Sequence, residues 1–235
     1  MDIGSVQAAK GAYGRAIYKF GFNSTISTDE ETVWDAGGIY SYPTSAQSVT
    51  VVSSDAADDI DGTGAQKITI EGLDENWLPK TLEVDMDGTE NTTVASTFMR
   101  VFRAYVSQAG SGEVNAGDIS LSMGGTTVAQ ISQGQGQTLM AVYTVPAGFD
   151  AYITQWTFSS GASSSNKYLD GRLIIRSNEG IVRTKSRATI QNTSFIKDLA
   201  VATKVNEKDD IEIRAVTSSG TDAVSGTFTV LLKRK

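Results

Sequence analysis

The eight residues QKITIEGL, at positions 66–73, carry the pattern that decides the fold. Ile68 and Ile70 fall on one side of an extended chain, while Lys67, Thr69 and Glu71 fall on the other. Apolar and polar residues that alternate with a period of two are typical of an antiparallel strand with one face in the core and one in water. The segment therefore predicts a half-buried β-strand.

The same alternation recurs along the chain from residue 48 onward, in short runs separated by Gly, Asn, Asp or Ser. The runs before the glycine-rich link at 133–136 are 48–52, 66–73, 81–86, 97–106, 118–123 and 127–131. The runs after that link are 137–145, 151–158, 172–176, 182–190, 194–200, 210–216 and 226–232. About thirteen strands spaced near ten residues apart favour two antiparallel β-sandwich or jelly-roll-like domains over one barrel. We expect an all-β protein with an N-terminal β-domain at 46–133 and a C-terminal β-sandwich at 134–235.

The first 45 residues differ from both sets of runs, because they are rich in Gly and aromatic residues but poor in aliphatic alternation. So many large rings are too apolar for a free disordered tail, yet the segment is too short to build a core of its own. We expect an extended N-terminal arm at 1–45. The arm packs either on a neighbouring subunit or larger assembly, or along its own first domain. In the first case the partner-binding residues are Tyr13, Tyr18, Phe20, Phe22 and Trp34.

The composition excludes several kinds of chemistry. The 235 residues include no Cys and no His, which rules out disulfides, Cys or His metal sites, thiol nucleophiles and Ser-His-Asp triads. The 20 Lys and Arg residues against 27 Asp and Glu residues give a net charge of −7, the wrong sign for neutralising nucleic-acid phosphates. There is no apolar run of membrane-spanning length and no signal-peptide pattern at the start. Most enzyme chemistries are thereby excluded, and we expect a protein without a cofactor that binds neither nucleic acid nor membranes.

The acidic residues invite two further hypotheses. The stretch 55–62 has four Asp residues before Gly62, but a calcium-loop count from that glycine puts Ala57 at the first ligand position, so a solvated loop is the better interpretation. Paired carboxylates also serve glycosidases, and the local candidates beside an aromatic residue are Asp74 near Trp77 and Asp150 near Trp156.

Five basic residues fall on successive predicted strands near the C-terminus. They could form a positive patch for an acidic partner or an anionic glycan, or they could be separate charges facing solvent. The sequence is compatible with both interpretations. These residues are Arg172, Arg176, Arg183, Lys185 and Arg187.

Six segments carry a resemblance to a known family. They are KFGFN at 19–23, VWDAGGIY at 33–40, GTGAQKITIEGLDENW at 62–77, RVFRAYV at 100–106, GDISLS at 117–122 and GQGQTLMAVYTVPAG at 134–148. With them the chain resembles virion structural proteins of tailed phages, particularly marine and cyanobacterial ones, over nearly its entire length. The resemblance implies a non-enzymatic part of the particle, and the family offers no catalytic residue to carry over.

The resemblance leaves head decoration, head fibre, collar and tail-associated roles open. The role we favour is a capsid decoration or cement protein, made in the host cytoplasm and located in the virion, that binds the major capsid protein or other virion proteins. Such parts are usually closed homo-oligomers, and a trimer would match the local threefold positions of a shell. The alternatives are a glycan-binding fibre or tail module, with Trp77, Trp156 or Tyr152 stacking on sugar rings, and a glycoside hydrolase.

Overall fold

The computed structural model describes residues 15–161 and 167–235 of the chain. Within these ranges the protein is built from antiparallel β-strands, and no helix is long and apolar enough to cross a membrane. The first nine strands are β1 (Arg15–Ile26), β2 (Glu31–Thr32), β3 (Gln47–Ser53), β4 (Ala65–Leu73), β5 (Pro79–Asp85), β6 (Thr92–Phe98), β7 (Arg100–Ala109), β8 (Ile119–Met123) and β9 (Thr126–Ile131). The other seven are β10 (Val142–Thr144), β11 (Phe149–Ser160), β12 (Leu169–Arg176), β13 (Val182–Ile190), β14 (Ser194–Val205), β15 (Asp210–Thr217) and β16 (Asp222–Arg234).

The chain forms two compact units, and one is inserted into the sequence of the other. The first, here called the jelly-roll unit, comprises residues 1–39 and 141–235; the second, the inserted unit, comprises residues 40–140. This division differs from the boundaries that the sequence predicts, at 45/46 and 133/134. The chain leaves the jelly-roll unit after β2 and returns to it just before β10.

The jelly-roll unit has the strand order of a complete jelly roll. Its first sheet has the order β1-β16-β11-β14, and its second sheet has the order β10-β15-β12-β13, with the short β2 also paired to β15. Without β2, the unit has eight strands, which can be numbered 1 to 8 along the chain. One sheet then has the order 1-8-3-6, and the other has the order 2-7-4-5. This is the arrangement of two interlocked Greek keys. The all-β, jelly-roll-like prediction for the C-terminal half is confirmed.

The core of the jelly-roll unit lies between the inner faces of its two sheets. Trp156, Phe158 and Phe228 are fully buried on the first sheet, and Ile211 and Ile213 are fully buried on the second. β11 and β16 alternate buried and more exposed residues, so the period of two in the sequence places their apolar side chains inward. On β15 both faces are buried from Asp210 to Ile213.

The inserted unit is a second sandwich with sheets of four and three strands. The four-stranded sheet has the order β6-β3-β8-β9, and the three-stranded sheet has the order β5-β4-β7. The segment 66–73 forms most of the central strand β4, and Ile68 and Ile70 are fully buried, as their alternation predicts. Lys67 and Glu71 on the opposite face are half-buried, and Lys67 forms an ion pair with Asp85 at 2.9 Å.

Two predicted strands differ from the observed ones. The run 97–106 is divided between β6 and β7, because β6 pairs with β3 while β7 pairs with β4, so the chain changes sheet at Met99. The run 137–145 forms a ladder only at Val142–Thr144, since the residues before it connect the two units. Apolar and polar residues alternate both before and after the point where the chain passes to another sheet. The sequence pattern therefore does not show where that point lies.

The extended arm predicted at 1–45 is wrong for the described residues 15–39. β1 pairs with β16 from Arg15↔Leu232 to Ile26↔Asp222, so it is an edge strand of the jelly roll and not an appendage. Gly21 allows a close approach there, since a Cβ at this position would lie 2.1 Å from the carbonyl oxygen of Val33. The described part of the segment completes the first sheet of the jelly-roll unit.

Candidate docking surface

An aromatic column lies along the edge strand β1. Tyr18, Phe20 and Phe22 alternate with inward-facing residues, so their rings share the outer face of the first sheet. Tyr18 is 60% exposed and Phe22 is 37% exposed, while Phe20 is half-buried. The ring centroids of Tyr18 and Phe20 lie 6.1 Å apart, within the range of contacting aromatic pairs. Three of the five residues predicted to bind a partner therefore form one continuous surface.

Hydroxyl and amide side chains cover the two strands next to this column. Pairing between strands places Tyr18 in a row with Thr229, Gln155 and Asp198. The next row is Phe20, Thr227, Thr157 and Ile196, and the third is Phe22, Ser225, Ser159 and Ser194. Asp198 is the single charged residue among these twelve positions, in a chain whose residues are 20% charged.

Hydrogen bonds between side chains connect neighbouring strands on this surface. The hydroxyl oxygens of Thr157 and Thr227 lie 2.6 Å apart, and the Gln155 amide donates to Asp198 Oδ1 at 2.6 Å. Ile196 at the far edge is 67% exposed. We call the three rows together the aromatic sheet face. A face with a single charge, exposed rings and hydroxyls on paired strands is suited to binding a partner surface by shape and apolar burial.

The two remaining predicted partner-binding residues do not join the aromatic sheet face. Tyr13 lies outside the described residues. Trp34 is 4% exposed, and its indole N–H donates to the carbonyl oxygen of Gly38 at 3.1 Å. The prediction that Trp34 anchors a partner is wrong for this structure, because its ring is part of the core of the jelly-roll unit.

Glu31 fixes the turn that follows β1. Its carboxylate accepts hydrogen bonds from the backbone N–H groups of Ser27 at 2.9 Å and Gly38 at 3.0 Å, and from the side-chain amide of Asn23 at 3.2 Å. Partial burial opposes ionisation, but these donors favour the carboxylate and hold the pKa of Glu31 below its ordinary value. The sequence does not indicate this role, because the fold alone brings the donors of Ser27, Gly38 and Asn23 to one carboxylate.

Three of the five clustered basic residues pair with carboxylates on the outer face of the second sheet. Arg187 and Arg172 both bind Asp170, with shortest distances of 2.6 Å and 3.1 Å, and Arg176 binds Asp210 at 3.1 Å. Asp170 and Asp210 are buried. The positive-patch interpretation is therefore wrong for these three arginines, and so is the alternative of separate solvent-facing charges.

The same ion-pair ladder continues through residues that sequence reasoning did not single out. Glu30 bridges Arg172 at 2.6 Å and Arg214 at 3.1 Å. Arg214 also binds the fully buried Glu212 at 2.6 Å, and Glu212 accepts the hydroxyl of Thr32 at 2.9 Å. Burial raises the pKa of Glu212 above its ordinary value even though Arg214 and Thr32 favour the charged form.

Alternation could have indicated this ladder. In DIEIRAV, at 210–216, acidic and basic residues occupy one face of the strand while Ile211, Ile213 and Ala215 occupy the other. A run of opposite charges along one strand face predicts cross-strand ion pairs. The arginines of the neighbouring strand supply them.

In the inserted unit, the acidic stretch 55–62 contains a buried structural carboxylate. Asp58 is fully buried, and its oxygens accept the Ser53 hydroxyl at 2.6 Å and the backbone N–H groups of Ala65, Ala116 and Gly117 at 2.7–2.9 Å. The solvated-loop interpretation is wrong for this residue. Among the residues that the structure describes, no group of three acidic side chains is close enough to hold a metal ion.

The aromatic–carboxylate candidates for sugar binding have different environments. Asp74 Oδ1 accepts the backbone N–H groups of Asn76 and Leu78, so it forms a turn. The Arg100 guanidinium lies 4.8 Å from the centre of the Trp77 ring and covers one of its faces. Trp156 is fully buried and cannot stack on a sugar, which removes it from the glycan-binding hypothesis.

Comparison with known proteins gives weak likenesses to viral capsid proteins. No protein-family model matches the chain, and no curated protein matches it. Among solved structures, the VP2 subviral particle of infectious bursal disease virus is 11% identical with a TM-score of 0.28, covering 94% of this chain and 72% of that one. The Gt strain of the same virus is 11% identical with a TM-score of 0.27, covering 94% and 73%. Likenesses at this level do not establish a common fold or function.

Proposed function

We propose that this chain is a structural protein of a phage virion, and specifically a capsid decoration or cement protein that binds the head lattice as a homo-oligomer. The observation that carries the proposal is the aromatic sheet face, where Tyr18, Phe20 and Phe22 project from a rigid strand beside rows of Thr, Ser and Gln. Buried aromatic residues dominate the energetics of protein interfaces, and a rigid strand loses little entropy when it docks. The partner is the major capsid protein or another virion protein.

The family resemblance and the ionisable groups support a non-enzymatic role. The segments KFGFN and GQGQTLMAVYTVPAG resemble virion structural proteins, and the first of them contains Phe20 and Phe22. Several buried carboxylates of the jelly-roll unit are held in ion pairs, as with Asp210 and Arg176 or Glu212 and Arg214. A carboxylate fixed in this way supports the fold and is poorly placed to donate or accept protons in a reaction.

Co-sedimentation with purified capsid shells tests the proposal. The double variant Tyr18→Ser/Phe22→Ser should fold normally and lose most of its shell binding, because both rings lie on the aromatic sheet face. Tyr168→Ser is the matched control, since Tyr168 is 52% exposed but lies before β12, away from that face. Unchanged shell binding by the double variant would contradict the proposal. Antibody labelling of whole virions places the protein on head or tail.

A glycan-binding fibre or tail module is the second candidate. The observation that favours it is the exposed Tyr18 ring next to Thr229 and Gln155, because an aromatic ring beside hydroxyl and amide groups is suited to stacking and hydrogen bonding with a sugar. A glycan array distinguishes the candidates. Specific binding that disappears in Tyr18→Ala would support the glycan role, and no binding by the wild-type chain would remove it.

A further inference from the structure

The two units carry opposite net charges. The inserted unit has 13 acidic and 4 basic residues, a net charge of −9, whereas the jelly-roll unit has 14 acidic and 16 basic residues, a net charge of +2. The acidic character of the whole chain therefore belongs to the inserted unit alone. Segregated charge of this kind steers the association of complementary surfaces.

Three loops gather the unpaired acidic residues at one end of the inserted unit. Residues 54–64, 86–91 and 110–118 join through backbone hydrogen bonds, among them Gly88 N–H to Asp58 O and Gly110 N–H to Gly64 O, both at 2.8 Å. These loops contain no Lys or Arg, and none of their carboxylates forms an ion pair with a described residue. The buried Asp58 is held by hydrogen bonds, and the other carboxylates are not buried. The carboxylates are Asp55, Asp59, Asp61, Asp87, Glu90, Glu113 and Asp118.

Two aliphatic residues are exposed among these carboxylates. Ile60 is 37% exposed and Val114 is 39% exposed. We call this surface the acidic end. Exposed apolar side chains among charges of a single sign are typical of a surface that binds another protein.

The edge strands β13 and β14 of the jelly-roll unit expose apolar residues of their own. Val201 is 85% exposed, and Ile181 and Val182 are each nearly half exposed. On β14, Asp198 pairs with Gln155 of β11, and Thr203 pairs with Ile153 of β11. The four residues 199–202 therefore lie opposite a single residue of β11, Thr154, and form a bulge. Proteins usually protect an edge strand with charges at such a bulge, whereas here the bulge is Leu-Ala-Val-Ala.

Unneutralised cations surround these apolar residues. Arg183 and Lys185 on β13 are exposed, and neither has a carboxylate partner among the described residues. Lys197 on β14 is also exposed and contacts the Ser186 hydroxyl at 3.3 Å, which joins the two strands at this edge. We call this surface the basic edge: Ile181, Val182, Arg183, Lys185, Lys197 and Val201.

We propose that copies of this chain associate head to tail, with the acidic end of one copy docked on the basic edge of the next. Each surface offers exposed apolar side chains beside an excess of one sign of charge, and the two signs are opposite. A symmetric contact that joined two acidic ends or two basic edges would bring like charges together and is disfavoured. A head-to-tail contact uses two different surfaces, and repeated copies close into a ring when the rotation permits. The inference deepens the homo-oligomer part of the proposed function.

Sedimentation of the purified full-length chain without any particle tests this arrangement. The wild-type chain should show a mass that rises with concentration at 50 mM salt and falls at 500 mM salt, because screening weakens exposed charge pairs. Arg183→Glu/Lys185→Glu and Asp61→Lys/Glu113→Lys should each weaken association at least tenfold, to about the level of a monomer. Lys233→Glu/Arg15→Glu is the control, since it reverses two exposed charges outside both surfaces and should leave the wild-type mass unchanged.

Mixing the two variants provides the decisive result. Each variant retains one intact surface, and the two reversed surfaces are complementary to each other, so an equimolar mixture should associate although each variant alone does not. Combining all four reversals in one chain should restore association. A wild-type monomer at all concentrations, association that ignores salt, or a mixture that stays monomeric would each overturn the proposal. Since no shell is present, these outcomes are independent of the shell-binding test with Tyr18 and Phe22.

Discussion

Ser53 donates its hydroxyl hydrogen to Asp58 Oδ2 over 2.6 Å inside the inserted unit. Three backbone N–H groups also donate to this fully buried carboxylate. One side chain therefore accepts all four of these hydrogen bonds. The donors come from the residues around β3 and β4 and from the segment before β8. Asp58 therefore ties together loops that are far apart in sequence, and its removal leaves buried donors without acceptors.

Replacement of Asp58 by Asn should destabilise the inserted unit by about 2–4 kcal/mol. The Asn amide directs an N–H group at backbone donors, and a buried hydrogen-bonding group without a partner costs about 1–3 kcal/mol. Urea unfolding followed by tryptophan fluorescence measures the change. The control is Asp61→Asn in the same loop, which is exposed and should change the midpoint little. Equal midpoints for the two variants would show that Asp58 has no structural role.

Gly171 lies directly under the Phe158 ring in the jelly-roll core. A Cβ at position 171 would come within 2.7 Å of three atoms of that ring, so Gly171→Ala should cost about 1–3 kcal/mol through overpacking. The companion variant Phe158→Leu removes part of the ring. In a double-mutant cycle, Gly171→Ala should cost less in the Phe158→Leu background than in the wild type, and additive costs would refute the contact.

The strand pattern of most of the fold could be predicted from local alternation. The run 182–190 agrees with β13 at both ends, and 210–216 gives β15 to within one residue. Alternation reports which residues face a core, but it carries no information about which strand lies beside which. For that reason it could not predict the pairing of β1 with β16, which are separated by about two hundred residues.

The aromatic sheet face could be predicted in part from the spacing of its aromatic residues. Tyr18, Phe20 and Phe22 stand out as rings in a segment without aliphatic alternation, and their spacing of two puts them on one face once β1 is a strand. Trp34 stands out on the same ground, but it follows β2 and turns into the core. The composition shows which aromatic side chains favour burial. Whether they are buried in the protein's own core or against a partner depends on tertiary contacts.

The two ends of the ion-pair ladder should respond differently to truncation. Arg214 is 12% exposed and holds both Glu212 and Glu30, so Arg214→Ala leaves a buried carboxylate uncompensated and should cost about 3–5 kcal/mol. Arg187 is 60% exposed, and its partner Asp170 retains Arg172, so Arg187→Ala should lower the melting temperature far less. Calorimetry of both variants measures this order. A larger loss from Arg187→Ala would show that the ladder is not what stabilises this face.

The turn after β1 should make stability depend on pH through Glu31. Hydrogen bonds from Gly38, Ser27 and Asn23 hold the pKa of Glu31 below its ordinary value, so the folded state binds a proton there less readily than the unfolded state. The resulting stability is present above the unfolded pKa of about 4.3 and is lost as the pH falls through the lower folded value.

Glu31→Gln should therefore be less stable than the wild type at pH 7, and the difference should shrink as the pH drops below about 4.3. Urea midpoints of both proteins between pH 3 and pH 7 measure this convergence. Asp29→Asn is the control, because Asp29 is exposed and lies in the same turn without accepting those three donors. Since the turn sets the course of the chain from β1 into β2, its loosening at low pH should also reduce binding through Tyr18 and Phe22. A stability difference between wild type and Glu31→Gln that stays constant across this range would mean that the three donors do not favour the charged carboxylate.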